Sequence, residues 1–336
     1  MSARIALIAL CALLAAAPGL ALADEPEPTA VEVHPPIGVH GDVAHGDRAV
    51  MLSYRYQRQD FAGLHVGQRE LFGPAAGYAE SPTALRQDTH WLELYWAPVH
   101  EVTFVLTLPY IDREMDQIVA ATGLPYTSAA KGFGDFTMTL LYRVYDARHS
   151  RLHLNFGLSL PSGSTNESQV TPASAGVLQR LPYAMQLGSG TVDLRPGVTL
   201  NAQAAGLYFG SQVSGVLHAG TNARGYRLGN SYDVTGWAGW RVAPWLATSF
   251  RLDWRHVFDP DGADPLLVPA RSPAEDARLL GGMRLDALFG VDVFFDGAGL
   301  EGARLSIEAG LPAYQSLDGP QLAADWMLTA GLQYAF

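Results

Sequence analysis

The feature that most constrains this chain is a two-residue alternation of apolar and polar side chains. It recurs from residue 49 to the C-terminus in segments of about ten residues. Leu152, Leu154, Phe156, Leu158 and Leu160 alternate with His153, Asn155, Gly157 and Ser159. Met283, Leu285, Ala287, Phe289, Val291 and Val293 alternate with Arg284, Asp286, Gly290 and Asp292. Leu305, Ile307, Ala309 and Leu311, and then Trp326, Leu328, Ala330, Leu332, Tyr334 and Phe336, repeat the pattern. Successive side chains of a strand point to opposite faces, so each segment has one apolar and one polar face. About ten residues is also the length a tilted strand needs to cross a bilayer. No stretch after the N-terminal signal approaches the ~18 consecutive apolar residues of a transmembrane helix. The expected fold is all-β, a transmembrane antiparallel up-and-down β-barrel of about twelve strands.

The strands are expected to begin near Ala49, Thr89, Val102, Gly134, Arg151, Thr191, Gly206, Tyr232, Leu246, Arg278, Ala303 and Asp325. Connections between them alternate in length. Short ones fall at 97–101, 146–150, 201–205, 242–245 and 296–302, and long ones at 60–88, 111–132, 161–190, 219–231, 258–277 and 312–324. Short periplasmic turns and long extracellular loops are the outer-membrane pattern, and an even strand count leaves both termini in the periplasm. The alternation is weakest at 201–208, where Ala and Gly blur it.

The N-terminus carries an export signal. Arg4 precedes an apolar run from Ile5 to Ala17, and Ala21-Leu22-Ala23 forms an A-x-A site, so cleavage is expected before Asp24. The expected division is a signal peptide over 1–23, a Pro/His-containing periplasmic leader or plug over 24–47, and a barrel over 48–336. Cys11, the single cysteine, lies within the signal, so the mature chain has no disulfide and no Cys-ligated metal. The expected location is the outer membrane of a Gram-negative bacterium. A formal net charge of −11, with no Lys/Arg cluster, argues against nucleic acid as a partner.

Aromatic residues fall at both strand ends on the apolar face. Trp96, Tyr142, Trp240, Tyr334 and Phe336 mark the expected periplasmic rim, and Tyr54, Tyr56, Tyr110, Tyr232, Trp254 and Trp326 the outer rim. A soluble β-sandwich also alternates, but does not require two aromatic rims or a terminal Phe. Phe336, with Tyr334 two before it, resembles the C-terminal signature read by the barrel-insertion machinery. The expected partners are therefore outer-membrane lipid and lipopolysaccharide, that machinery, and a small-molecule solute.

Gly132-Phe133-Gly134-Asp135 opens one strand, Tyr142-Arg143 closes it, and Gly157-Leu158-Ser159-Leu160-Pro161-Ser162-Gly163 follows. With these segments the chain resembles the outer-membrane barrel family labelled putative MetA-pathway of phenol degradation, which is distantly FadL-like. The resemblance implies a transporter-like role, with hydrophobic or aromatic compounds as the implied cargo.

Strand parity assigns Arg55, Glu93, Asp135, Arg143, Asp193, Arg195, Asp233, Arg241, Arg251, Asp253, Arg255, Arg284, Asp286, Asp292, Arg304, Glu308 and Asp325 to the lumen. A charge on the lipid face costs about 2–4 kcal/mol near the midplane, so parity and energy agree. The two signs are nearly balanced. Interior ion pairs bracing the wall are the plainer expectation, and a selectivity constriction the sharper one.

The leader carries Pro26, Pro28, Pro35 and Pro36, which exclude regular helix, and His34, His40 and His45. Its two readings are a disordered leader and a plug in the periplasmic mouth. The three His are weak metal candidates, because their spacing matches no tight ligand motif. Asp259-Pro260-Asp261-Gly262-Ala263-Asp264 resembles a calcium loop, but Ala270 occupies the twelfth position where Glu is needed. No cofactor is expected. Neither G-x-S-x-G nor H-E-x-x-H occurs, and His153 and Ser159 lie about 20 Å apart along a strand, so an enzyme is not expected. The functional expectation is a channel or transporter that passes or binds small molecules. The alternatives are a sealed structural or adhesive barrel whose loops bind and, less favoured, a lipid-modifying enzyme.

Overall fold

The computed structural model describes residues 34–46, 48–295 and 300–336. The signal, its cleavage site and the first ten leader residues, 24–33, lie outside the described residues. In chain order the strands are β1 (Val50–Gly67), β2 (Arg69–Leu71), β3 (Glu80–Val99), β4 (Val102–Val119) and β5 (Leu124–Phe133). They continue through β6 (Phe136–Ala147), β7 (Ser150–Leu160), β8 (Ser168–Val170), β9 (Leu178–Arg180), β10 (Val192–Ala204) and β11 (Leu207–Ala219). β12 (Tyr226–Arg227), β13 (Ser231–Ala243), β14 (Leu246–Val257), β15 (Asp261–Gly262), β16 (Gly282–Phe294) and β17 (Ala303–Ala335) complete the series. Among the described residues, helix is limited to short 3₁₀ turns in the loops.

Eleven of these strands form a closed antiparallel ring in the order β1-β3-β4-β6-β7-β10-β11-β13-β14-β16-β17, with β17 returning to β1. β2 and β5 pair outside the ring, on β1 and β4. Closure removes the free edges that an open sheet of this length would expose. The apolar members of each alternating segment face outward. Leu52, Leu92, Leu94, Phe156, Leu194, Phe289, Ile307, Leu311 and Leu332 are all exposed on the outer wall. Trp96, Tyr142, Trp240 and Phe336 are exposed near the short-turn end and Tyr232 near the other, while Tyr54 and Tyr110 are exposed part-way along β1 and β4. The polar partners, among them Ser53, Thr103, Thr199 and Gln333, are buried inside the ring.

About twelve strands were expected, and the ring contains eleven continuous ones. The difference lies in β17, which runs for 33 residues. Its residues 304–317 pair with β16 and its residues 317–335 with β1. The segment 312–324, expected as a loop, is therefore strand. Two other expected loops are also corrected. Residues 60–88 consist largely of the extensions of β1 and β3, which pair as far as Ala62↔Ala84. Residues 111–132 form the β4–β5 hairpin, from Ile111↔Gly132 to Val119↔Leu124. The physical reason is shared. In these extensions Arg58, Asp60, Arg86, Asp88, Asp112, Glu114 and Asp116 replace apolar residues on the outer face. With the outer face polar and the inner face mixing Leu85, Ile111 and Met115 with Gln87, Arg113 and Gln117, the apolar-out alternation is lost while the hydrogen-bonded ladder continues.

Candidate functional site in the barrel lumen

The lumen has two halves with different fillings. The half near the short turns is occupied by residues 34–46. This segment touches β1, β3, β4, β6, β7, β10, β11 and β17, a set of partners that only a chain inside the ring reaches. Its carbonyls are the main handles. Arg55 donates to the oxygens of Ile37, at 2.8 Å, and Val39. Arg143 donates to those of Ala44 and His45, and Arg304 to that of Pro35 at 2.6 Å. His153 Nε2 and Asn155 Nδ2 both donate to Gly41 O, at 3.0 and 3.1 Å. Asn201 donates to Asp42 O at 2.9 Å, and Gln212 to His40 O at 3.0 Å.

Apolar contacts complete the fit. Val39 packs with Tyr208, Trp237 and Ala247, and Ala44 with Met51, Tyr95, Val105 and Leu141. Ile37, Val39 and Val43 are buried, a burial worth about 1.5–3 kcal/mol for each large aliphatic side chain. Gly38 runs against the Arg251–Glu308 ion pair so closely that a Cβ there would collide with both side chains. The absence of a side chain at this position is what lets the segment lie on that wall.

The buried charges beneath and around this segment are matched. Arg55 Nε meets Glu93 at 2.9 Å and its Nη2 reaches Asp42 at 3.5 Å, while His40 Nδ1 lies 3.0 Å from the other Glu93 oxygen. Arg251 engages Glu308 at 2.8 Å and Asp253 at 3.2 Å, and Arg304 engages Asp292 at 2.8 Å. Arg241 instead donates to Pro244 O and lies over Phe294. His34, His40 and His45 rest against different rings, those of Phe294, Trp91 and Tyr95. The structure does not gather them, and the described residues contain no cluster of three potential metal ligands.

The half near the long loops carries the rest of the lumen charges. Arg255 pairs with Asp233, and Arg284 with Asp286 at 2.8 Å. Asp193 accepts from Thr191 at 2.6 Å and pairs with His218 at 2.8 Å. Asp135 has a different task from the lumen lining expected of it. Its two oxygens accept the amides of Gly163 and Ser189, both at 2.8 Å, and so pin the two ends of the 161–190 loop together. Ser162, in turn, accepts Phe136 N and donates to Gly134 O. The segments 132–135 and 157–163, which carried the family resemblance, thus meet at this loop neck.

Above the neck the loops form a packed cap. Leu181, Met185 and Leu187 press onto Leu85, Ile111, Met115 and Ala130, while Arg113 holds the carbonyls of Ala184 and Gln186. Tyr183, Tyr226, Leu267 and Ala277 join three loops in a second cluster. Arg271 O accepts Glu80 N, and its guanidinium meets Glu275. Tyr126 donates to Glu80 at 2.6 Å. Burial, reinforced by the nearby Glu80, pushes the Glu275 carboxyl up to about 7, against the opposing pull of Val268 N–H and Arg271. The acids of the calcium-like stretch serve separate partners. Asp259 caps Leu280 and Gly281, Asp261 meets Arg227, and Asp264 meets Arg180.

Sequence reasoning placed the charged lumen residues but passed over Asp42, which lies in the inner segment, and Tyr95, Asn155, Asn201 and Gln212, which hold that segment. The last four lie on the polar parity of their strands, so a rule admitting uncharged polar residues would have included them.

No family model matches the chain, and no curated protein matches it. Solved structures do. The COG4313 outer membrane channel from Pseudomonas putida F1 superposes with a TM-score of 0.63 at 13% identity, covering 91% of this chain and 100% of that one. A Pseudomonas aeruginosa FadL homologue gives a TM-score of 0.43 at 10% identity, over 86% of this chain and 90% of its own. The P. putida toluene transporter TodX gives 0.42 at 8% identity, over 87% and 90%. At these identities the likeness is one of fold, and the first superposition carries it.

Proposed function

We propose that this chain is an outer-membrane channel of a Gram-negative bacterium, passing or binding small molecules through a lumen that its own leader occupies. The observation that carries this reading is the inner segment 34–46, held in the ring by hydrogen bonds to its backbone from strands on every side. A wall that needed only to be solid would be filled by its own side chains, as in small barrels. A tethered segment that fills the bore by non-covalent contacts is a removable plug.

The exterior supports the location. Its contiguous apolar band, bounded by aromatic rims, far exceeds the few hundred Å² that soluble proteins expose. The strand pairing supports twelve crossings. Antiparallel neighbours alternate in direction, so a closed antiparallel ring needs an even number. β17 is antiparallel to both β16 and β1, and so reverses near Leu317. The bonds between Gln315 and the backbone of Ala324 fit such a fold-back. Eleven strands with β17 counted twice give twelve crossings. On this reading the short turns and both termini face the periplasm, and the long loops face outward. Phe336, exposed beside Tyr334 and hydrogen-bonded to Val50 O, is then available to the insertion machinery. The charged collar of Arg58, Arg86 and Asp112 stands level with lipopolysaccharide. Hydrophobic or aromatic cargo, the class implied by the family resemblance, is compatible with the apolar loop residues Phe72, Leu266 and Val268, which are exposed at the outer end.

The test is single-channel conductance of the folded mature chain in a planar bilayer, with and without residues 24–46. The expected result is a small conductance that rises by an order of magnitude when the segment is removed. Equal, negligible conductance in both forms would overturn the channel and favour a sealed barrel whose loops bind.

A further inference from the structure

The wall grips the inner segment by one kind of backbone group. From Pro35 to His45, wall side chains donate to every carbonyl except those of Pro36, Gly38 and Val43. Pro36 O is taken by Val39 N within the segment. Among the described residues, only the amides of Gly41 and His45 reach the wall, on the Tyr95 and Thr103 hydroxyls. A strand added to a sheet uses amides and carbonyls alike. This wall reads carbonyls.

Every residue presents a carbonyl, proline included, whereas proline has no amide to offer. A carbonyl-reading site therefore accepts proline without loss, and Pro35 and Pro36 stand inside it. Side chains are selected mainly by size. A Cβ on Gly38 would collide with Glu308 and Arg251, and Gly41, with a φ of +59°, favours glycine on backbone grounds. Ile37 fills the space left by Gly331, where a Cβ would lie 2.7 Å from Ile37 Cδ1. Val39 fits against Tyr208, Trp237 and Ala247.

The segment enters and leaves by the same mouth. Pro35 O sits on Arg304 and His45 N on Thr103, the second residues of β17 and β4 after short turns. His40 and Gly41 reach further, to Gln212, His153 and Asn155. The next inward residue beyond Asn155 is Gly157, opposite Arg195, and none of the segment's described hydrogen bonds goes there. Withdrawal toward the short turns thus empties the site and leaves it open to the loop half.

We propose that this lower lumen is a binding site for extended oligopeptides of proline, glycine and small aliphatic residues, with the inner segment as its resident occupant. This deepens the channel reading and rests on it, naming a solute class for the same site. The tether holds the segment at an effective concentration in the millimolar range, so a free peptide binds once the segment has withdrawn.

The test uses the full mature chain, folded with its segment in place and then nicked at a specific protease site introduced between Gly46 and Ala49. Release of the fluorophore-labelled segment is followed to equilibrium as free peptides are added. The probes are the 34–46 peptide, a neutral version with alanine for His40, Asp42 and His45, a scrambled version, and one whose Gly41–Asp42 amide is an alkene. The neutral probe keeps the carbonyls and should displace the segment at a concentration within about tenfold of the native peptide. The alkene leaves His153 and Asn155 without their acceptor and should weaken displacement by about tenfold or more. The scrambled peptide, with side chains where glycine is required, should fail. Gln212→Met in the wall should weaken the native and neutral probes by the same factor. Displacement by the native peptide alone, by no peptide, or equally by the alkene or scrambled probe would each overturn the site. Conductance of the same preparations is read separately. A barrel that exchanges peptides yet conducts nothing would keep the site and sink the channel.

Discussion

The two halves of the lumen use the same residue types for opposite ends. Near the short turns, arginine is buried and shared between a carboxylate and a backbone carbonyl, as Arg55 is between Glu93 and Ile37. Near the long loops it stands in the open bore, as Arg255 does beside Asp233, with its side chain 48% exposed. The first arrangement freezes a segment of chain in place. The second leaves charge in contact with water and with whatever enters. Burial, rather than residue identity, separates a structural arginine from one free to meet a solute.

The sharpest test of that difference is a pair of matched substitutions. Arg55→Ala leaves the buried Glu93 without its guanidinium, with His40 as its remaining partner, and two buried carbonyls without their donor, a loss expected to cost about 3–5 kcal/mol. Arg255→Ala breaks a pair that water already screens, so about 0–1 kcal/mol is expected. Urea unfolding midpoints of the two variants, measured in one detergent, should differ accordingly. Equal losses would mean that the halves are not energetically distinct.

The same contrast explains what the sequence could and could not reveal. Alternation is legible where one strand face is apolar throughout, as at Leu152–Leu160, and the start of β7 lies within a residue of its expected position. It fails above the apolar band, where Arg58, Asp88 and Glu114 make the outer face as polar as the inner, so long hairpins read as loops. The short connection expected at 201–205 contracts to a two-residue turn at Ala205 and Gly206, because β10 runs on to Ala204 and β11 begins at Leu207. Parity placed Arg55 and Glu93 on one face, but not against each other. That requires the register Ser53↔Glu93, which is set by the tilt of the whole ring. The prolines of the leader excluded helix, yet its grip on the lumen runs through backbone carbonyls, and a carbonyl leaves no trace in residue identity. Asp135 was read as lining for the same reason, because its partners are the amides of Gly163 and Ser189.

A second test acts on the loop half alone. With its carboxyl raised to about 7 from 4.5, Glu275 is protonated in the packed cap at pH values where an exposed glutamate has ionised. The cap therefore binds more protons than the open loops. It is most stable at acid pH and weakens as pH rises from about 4.5 to about 7, by roughly 3 kcal/mol at most. Hydrogen exchange of residues 262–281, corrected for its intrinsic pH dependence, should accelerate from pH 5 to pH 8, while residues 34–46 stay protected. Glu275→Gln, neutral at every pH, should flatten the response. A cap equally protected at pH 5 and pH 8 would show that Arg271 holds the ionised carboxylate as well as the neutral one.

The smallest expected effect probes the neck between the halves. Asp135→Asn keeps one acceptor and turns the other into a donor facing an amide, at Gly163 or Ser189. Losing one charge-assisted bond should cost about 1.5–3 kcal/mol, near the lower end because the neck is only partly buried. The loosening should reach 161–190 and the apolar contacts of Leu181, Met185 and Leu187, and stop there. Proteolysis of the folded variant then cuts the loop sooner, while the inner segment keeps its protection, since none of its hydrogen bonds passes through Asp135. If protection of residues 34–46 falls as well, cap and plug are mechanically coupled, and opening one end of the barrel would loosen the other.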